Sequence, residues 1–146
     1  MALKLIDHGT DEYRQMVQLR YDILRKPLGL NFSEEELKKE IGLILIAAFE
    51  DNKILGCCML EKTNRHTARL RQMAVLNNLQ GKGVGRALMQ FAENIAIDRG
   101  FSRIIMHARK SAIGFYNKLG YETSGDEFEE VSLPHYLMEK NLRAIM

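Results

Sequence analysis

This chain has no tryptophan, only two prolines and only two cysteines among its 146 residues, and each scarcity narrows what it can be. The cysteines, Cys57 and Cys58, are neighbours. Successive side chains on a strand point to opposite faces, so geometry argues against a disulfide between them. They read instead as small buried hydrophobes, with a role as acyl carrier the chemical alternative. There is no Cys-x-x-Cys pair and no His-x-x-x-His pair, so no metal is expected. Pro27 and Pro134 stand alone, without a Pro- or Gly-rich linker, a repeat or a low-complexity tract. A single domain over residues 1–146 is the expectation. The longest apolar stretch, residues 41–49, is too short to cross a bilayer. The first residues carry neither the apolar run nor the cleavage site of a secretory signal. A cytoplasmic protein without a membrane partner is therefore expected. Charge of one sign is lacking too: 21 basic and 19 acidic residues leave a net +2, dispersed along the chain. Nucleic-acid binding, which needs a dense basic face, is not expected.

What the chain does have is an ordinary globular composition, 46% hydrophobic and 27% charged, and a clear alternation of element types. Residues 3–6 read as an opening strand. Residues 11–25 read as a helix, capped by Thr10 and stopped by Pro27, with Tyr13, Met16, Val17, Arg20, Tyr21 and Leu24 at helical spacing. Ser33 and Glu36 form a capping-box pattern ahead of a short second helix, whose glutamates from Glu34 to Glu40 read as a solvated face. Strands over 43–49 and 54–61 flank a turn at 50–53, and a third strand runs over 67–75. After the loop at 77–85 come a helix from Arg86 to about Arg99, capped by Gly100, and a strand over 102–108. A short helix over 111–119, capped by Gly120, and strands over 121–126 and 135–140 close the chain. The order β-α-α-β-β-β-α-β-α-β-β predicts an α/β fold, a mixed sheet with helices on both faces.

The informative segment is the strand, then Gln80-x-x-Gly83-x-Gly85, then a helix. The first turn of a helix leaves backbone N–H groups without partners, and the macrodipole adds roughly half a positive charge there. Glycines let such a backbone approach a diphosphate closely. The spacing Gly81-x-Gly83-x-Gly85 fits neither the dinucleotide fingerprint nor the P-loop. A flexible loop with glycines for turn geometry is the plainer alternative, and it must account for three glycines in five residues at a helix start.

The context of that loop resembles a known family. Leu70-Arg71-Gln72-Met73-Ala74-Val75 followed by Gln80-Gly81-Lys82-Gly83-Val84-Gly85-Arg86-Ala87-Leu88 is similar to the acetyl-CoA motif of the GCN5-related N-acetyltransferase (GNAT) superfamily. Downstream, Ala112-Ile113-Gly114-Phe115-Tyr116-Asn117-Lys118-Leu119-Gly120-Tyr121 resembles its second motif, in the expected order and at the expected separation. Gly125, Phe128 and Pro134-His135 resemble a small single-domain branch whose acceptor is unassigned. The resemblance implies a mostly antiparallel mixed sheet and transfer of the acetyl group of acetyl-CoA directly to an amine.

Residue by residue, it implies that the backbone of Met73, Ala74 and Val75 holds pantetheine like an added strand. The amides of Gln80, Gly81, Lys82, Gly83, Val84, Gly85 and Arg86 would hold the pyrophosphate, and Ala112, which opens the second motif, is a further cofactor-binding candidate. The side chains of Lys82 and Arg86 offer charge or are, equally, solvated basic residues. Tyr116 stands where many members have a tyrosine near the CoA sulfur, and a phenol there can protonate the departing thiolate. Phe115 and Leu119 are expected in the core. Where many members carry an asparagine that contacts the cofactor, this chain has Arg109, which cannot accept a hydrogen bond but could still donate to the cofactor or meet an acidic substrate.

The amine must lose its proton before it attacks, and the sequence leaves the base open among Glu61, His66, His107, Glu129, Glu130 and His135. His135, following Pro134, is the first candidate. The cluster of Arg65, His66, Arg69 and Arg71 could attract an acidic acceptor or the cofactor's 3′-phosphate, and surface charge explains it equally well. The modest length leans towards a small-molecule acceptor, and a homodimer is the commonest form of self-association. Two other functions compete: an acyl-CoA sensor of the same fold without efficient turnover, and a phosphate-recognising domain.

Overall fold

A computed structural model describes residues 1–143; the last three positions of the expected 1–146 domain lie outside the described residues. The chain clusters into two compact units, Met1–Glu61 with Gln72–Ala92, and Lys62–Arg71 with the chain from Glu93 onward.

The first unit opens with β1 (Ala2–Ile6) and α1 (Asp11–Arg20). Thr10 caps α1 as expected, its hydroxyl accepting from the Tyr13 N–H at 3.2 Å. The helix expected through residue 25 departs from α geometry after Arg20, widening into a π turn at Tyr21–Arg25 and tightening into a 3-10 turn at Lys26–Leu28. α2 (Glu34–Lys38) starts at Ser33, whose hydroxyl accepts from the Glu36 N–H at 3.1 Å. The Glu36 carboxylate turns to Arg25 instead, at 3.1 Å, which exchanges half of the capping box for a tertiary contact. β2 (Ile44–Glu50) pairs antiparallel with β1 and with β3 (Lys53–Lys62). Asp51 and Asn52, both at positive φ, make the two-residue turn between β2 and β3. Leu45, Ile46, Ala47, Ala48 and Phe49 are all buried, so β2 is covered on both faces. Ile6, Tyr13, Met16, Leu19, Leu45, Phe49, Cys57 and Met59 pack into one apolar cluster.

β4 (Thr67–Val75) begins in the second unit and ends in the first, and α3 (Val84–Asp98) runs the opposite way. In the second unit β4 pairs parallel with β5 (Arg103–Arg109), from Thr67 opposite Arg103 to Leu70 opposite Met106. A parallel pair needs a crossover, and α3 supplies it. Gly100, at φ 88°, ends α3 in a Schellman motif, with Phe101 N–H donating to Ala96 and Gly100 N–H to Ile97. Gly120 ends α4 (Ile113–Lys118) in the same way, through Tyr121 to Tyr116 and Gly120 to Asn117.

The last strand, β7 (Leu133–Asn141), lies between β5 and β6 (Glu122–Glu130), antiparallel to both. The strand order is β1-β2-β3-β4-β5-β7-β6, a mostly antiparallel mixed sheet as expected. β6 and β7 run longer than the sequence suggests because their turn, Val131-Ser132, has no glycine or asparagine to mark it. Glu93 braces this unit: it accepts from Lys140 Nζ at 2.9 Å and from the Tyr121 hydroxyl at 2.9 Å.

Candidate functional site

β4 ends in a loop built to expose backbone. Leu76 N–H donates to the Leu55 carbonyl at 3.0 Å, holding the strand end on β3. A 3-10 turn at Asn77–Leu79 comes next, then Gly81 at φ 81° and Gly83 at φ 90°. Left-handed backbone of this kind favours glycine, and a Cβ at either position would meet nothing within 4 Å. Conformation, not packing, is what these glycines supply, and the space beside them is open. The Ala87 N–H donates to the Gly83 carbonyl at 3.0 Å, so the helix begins at Val84, two residues earlier than expected. Gly85 and Arg86 therefore belong to its first turn, and the N–H groups of Val84, Gly85 and Arg86 have no acceptor within the helix.

Not every amide of the expected run points outward. Gln80 and Lys82 N–H donate to the Asn77 and Leu79 carbonyls. The Gln80 side chain braces the loop, its Nε2 donating to the Val75 carbonyl at 3.3 Å and to Asn77 Oδ1 at 3.2 Å. Lys82 and Arg86 are exposed. Ala74 is buried, Met73 and Val75 are partly so.

Beneath the end of β4 lies a polar group that the sequence did not announce. Arg20 is fully buried and donates Nη1 to Glu40 Oε1 at 2.8 Å and Nη2 to Oε2 at 2.6 Å. Glu40, expected on a solvated face, is 4% exposed and also accepts the Tyr13 hydroxyl at 2.6 Å. Its side chain turns inward because a buried guanidinium requires a counter-charge. Arg20 Nε donates to Gln72 Oε1 at 3.3 Å, and the Cys57 thiol to the Gln72 carbonyl at 3.6 Å. Burial, then the bond and charge of Glu40, raise the Tyr13 hydroxyl well above the ordinary phenol range. Burial pushes the Cys57 thiol up to about 12, against the pull of Arg20, and Cys58 well above its usual value. Both cysteines are free and fully buried, as expected of small hydrophobes. Helical spacing puts Arg20 in line with the apolar face of α1, which is the one available signal in the sequence.

The second unit carries the other expected residues. Ala112 immediately precedes α4, and Arg109 ends β5 opposite His135 of β7. Tyr116 is buried, its ring edge-on to Phe115 at 4.9 Å and to Tyr121 at 6.0 Å. Phe115, expected in the core, is 36% exposed, because the short helix turns only Tyr116 fully inward. His135 is 3% exposed. Its Nδ1 lies 2.9 Å from the Leu133 carbonyl, so that nitrogen carries the proton, and its ring stacks on Phe128 at 5.9 Å.

Strand pairing assembles His135 with residues distant in sequence. Glu130 sits between two imidazoles, with Oε1 2.9 Å from His107 Nδ1 and Oε2 3.6 Å from His135 Nε2. Arg69 Nη2 approaches the same His107 Nδ1 at 3.1 Å. That nitrogen donates to Glu130 when protonated and accepts from Arg69 when not, so the two contacts exclude one another. Partial burial opposes ionisation of Glu130, but the His107 bond and the charges of His107, His135 and Arg69 bring its pKa below the ordinary carboxylate value. His66 lies in the turn before β4, exposed, with its carbonyl accepting from Ser102 and Arg103. Arg65 and Glu129 are exposed, and Glu61 is partly buried on β3. Among the described residues, no group of three or more His, Cys, Asp or Glu could hold a metal ion, and no helix is long and apolar enough to cross a membrane.

Comparisons with known proteins agree with this architecture. A provisionally named acetyltransferase of Bacillus subtilis (strain 168) is 33% identical over 95 residues, 65% of this chain and 64% of that protein. The matched stretch thus spans less than two thirds of that relative's length. Among solved structures, a provisionally assigned N-acetyltransferase from Lactobacillus plantarum superposes with a TM-score of 0.85 at 23% identity, covering 98% of this chain and 100% of that one. An aminoglycoside 6′-N-acetyltransferase complexed with coenzyme A superposes with a TM-score of 0.84 at 17% identity, over 100% and 99% of the two chains. Residues 23–142, most of the chain, match the model of the acetyltransferase (GNAT) domain, and the protein belongs to that family.

Proposed function

We propose that the chain is a cytoplasmic N-acetyltransferase, one catalytic domain that moves the acetyl group of acetyl-CoA directly to the amine of a small molecule. The observation that carries this reading is the start of α3. Gly81 and Gly83 hold left-handed backbone with open space beside them, directly ahead of a fifteen-residue helix whose first-turn amides have no acceptor within the helix. Such a helix start attracts a diphosphate, and a charge-assisted hydrogen bond contributes roughly 1.5–3 kcal/mol. Gly81, Gly83, Val84, Gly85 and Arg86 would carry the pyrophosphate, and the backbone of Met73 to Val75 the pantetheine arm.

In the reaction the neutral amine nitrogen attacks the thioester carbonyl and a C–N bond forms. The tetrahedral intermediate then collapses with cleavage of the C–S bond. The thiolate takes a proton from the Tyr116 phenol, the extra proton on the attacking nitrogen leaves and restores that phenol by way of solvent, and the products are the amide and CoA. The base that takes the proton of the amine is assigned first to His135. His135 is nearly enclosed, with one nitrogen on Leu133 and the other facing Glu130. That enclosure favours, as the second reading, an acyl-CoA-binding module of the same fold that turns over poorly.

A thermal-shift titration with acetyl-CoA, with ATP and NAD as controls, tests the cofactor. At about 100 times Kd, binding adds roughly 2.7 kcal/mol, which raises Tm by about 5–10 °C for a domain of this size. A shift specific to acetyl-CoA, followed by thiol release in the presence of an amine panel, supports the enzyme. A shift without thiol release favours the binding module, and no shift removes both readings.

A further inference from the structure

Among the described residues, one non-glycine residue within a strand has left-handed backbone. Gln72 has φ 57°, whereas Asp51, Asn52, Val131 and Ser132, also at positive φ, all lie in two-residue hairpin turns where that conformation is ordinary. A left-handed residue inside β4 bends the strand and re-aims its remaining residues, Met73, Ala74 and Val75.

The conformation is held by side chains on both sides of it. Arg20 Nε donates to Gln72 Oε1 at 3.3 Å, and the Cys57 thiol reaches the Gln72 carbonyl at 3.6 Å. The other two guanidinium nitrogens are clamped by Glu40 at 2.8 and 2.6 Å, and Tyr13 fixes the carboxylate in turn. A buried ion pair is a poor source of stability, since apolar side chains of equal volume usually do as well or better. What it supplies is direction. A planar fork with two nitrogens clamped presents the third along one line only. Arg20 also stands at the point where α1 widens into its π turn, a distortion frequent at functional sites.

We propose that Arg20, fixed by Glu40, is a positioning residue for the cofactor: it acts through Gln72 to set the course of the strand from Met73 to Val75. The proposal rests on the reading that this strand holds the pantetheine arm.

Two variants separate positioning from mere support. Gln72→Gly keeps the left-handed conformation accessible and removes the tether while leaving the ion pair whole. The triple variant Tyr13→Phe, Arg20→Met, Glu40→Leu replaces the buried polar group by apolar side chains. Calorimetry on each gives Kd for acetyl-CoA and for 3′-phosphoadenosine 5′-diphosphate, the nucleotide half that lacks pantetheine. Acetyl-CoA affinity is expected to fall about tenfold in both, the worth of one misplaced hydrogen bond, with the nucleotide half bound as by the parent. Unchanged acetyl-CoA affinity in Gln72→Gly, or an equal loss for both ligands, overturns the proposal. Should the triple variant fail to fold, Gln72→Gly decides alone. A parent chain that binds acetyl-CoA no more tightly than its nucleotide half refutes the pantetheine reading itself, and the proposal with it.

Discussion

Gly56 and Leu88 approach so closely that a methyl group on the glycine would lie 2.9 Å from Leu88 Cδ1. The same methyl would lie 3.0 Å from Val84 Cγ1 and 3.1 Å from the Ala74 carbonyl. The absence of a side chain on β3 therefore lets the first turns of α3 settle beside the strand end from which the loop departs. Overpacking at such a point costs about 1–3 kcal/mol. Gly56→Ala is expected to lower stability by that amount in chemical denaturation and to weaken acetyl-CoA binding. Unchanged values of both would mean that the helix start is free to shift.

The loop reading is tested by an isosteric pair at Gly83. Asparagine and aspartate both tolerate left-handed backbone better than other side chains, and they differ in charge alone. Gly83→Asp should bind acetyl-CoA more weakly than Gly83→Asn, with a gap that narrows as salt rises. Equal affinities at low ionic strength would place the diphosphate elsewhere.

Tyr116→Phe retains the ring that packs on Phe115 and Tyr121 and removes only the hydroxyl. If that hydroxyl protonates the leaving thiolate, turnover falls about 10²–10⁴-fold while Kd for acetyl-CoA stays put. Single-turnover rates with an amine acceptor decide it, and an unaltered rate would end the general-acid assignment.

Glu130 makes stability depend on pH with a definite sign. Its carboxylate is easier to ionise in the folded chain, through its bond to His107 and the charges of His107, His135 and Arg69, although partial burial opposes this. The stabilisation is present above the unfolded-state pKa of about 4.3 and is lost as pH falls through the lower folded value. Glu130→Gln should therefore have a lower Tm than the parent near pH 6, and the two should converge at pH below about 4. Curves that stay parallel down to acid pH would show that ionisation of the bridging carboxylate contributes nothing.

The thiols of Cys57 and Cys58 should resist alkylation by iodoacetamide at pH 8 in the native protein and react readily in denaturant. Both are fully buried, and burial holds the Cys57 thiol at about 12. Rapid labelling of the folded chain would reopen the acyl-carrier alternative.

Glycine and the capping residues make much of the fold legible. Gly100 and Gly120 end helices at the expected places, because no other residue enters the left-handed region so easily. Thr10 and Ser33 start helices for an equally local reason. Arg20 with Glu40, and Glu130 with His107, are not legible because nothing local ties them. Their partners are supplied by strand register and helix placement, which a charge pattern does not encode. The widening of α1 at Tyr21 is invisible for a related reason, since apolar spacing alone cannot tell a shift from i→i+4 to i→i+5 bonding.

The turn between β6 and β7 has a consequence for the order of events in folding. Val131 and Ser132 sit at φ 46° and 62°, where asparagine and glycine would be at ease and a β-branched side chain is not. Such a turn does not nucleate its own hairpin. Strand β7 has a second neighbour in β5, with seven residues in register from Arg103 opposite Asn141 to Arg109 opposite His135. That longer-range pairing is expected to form first and to draw the hairpin closed behind it, so the turn follows the sheet and does not lead it.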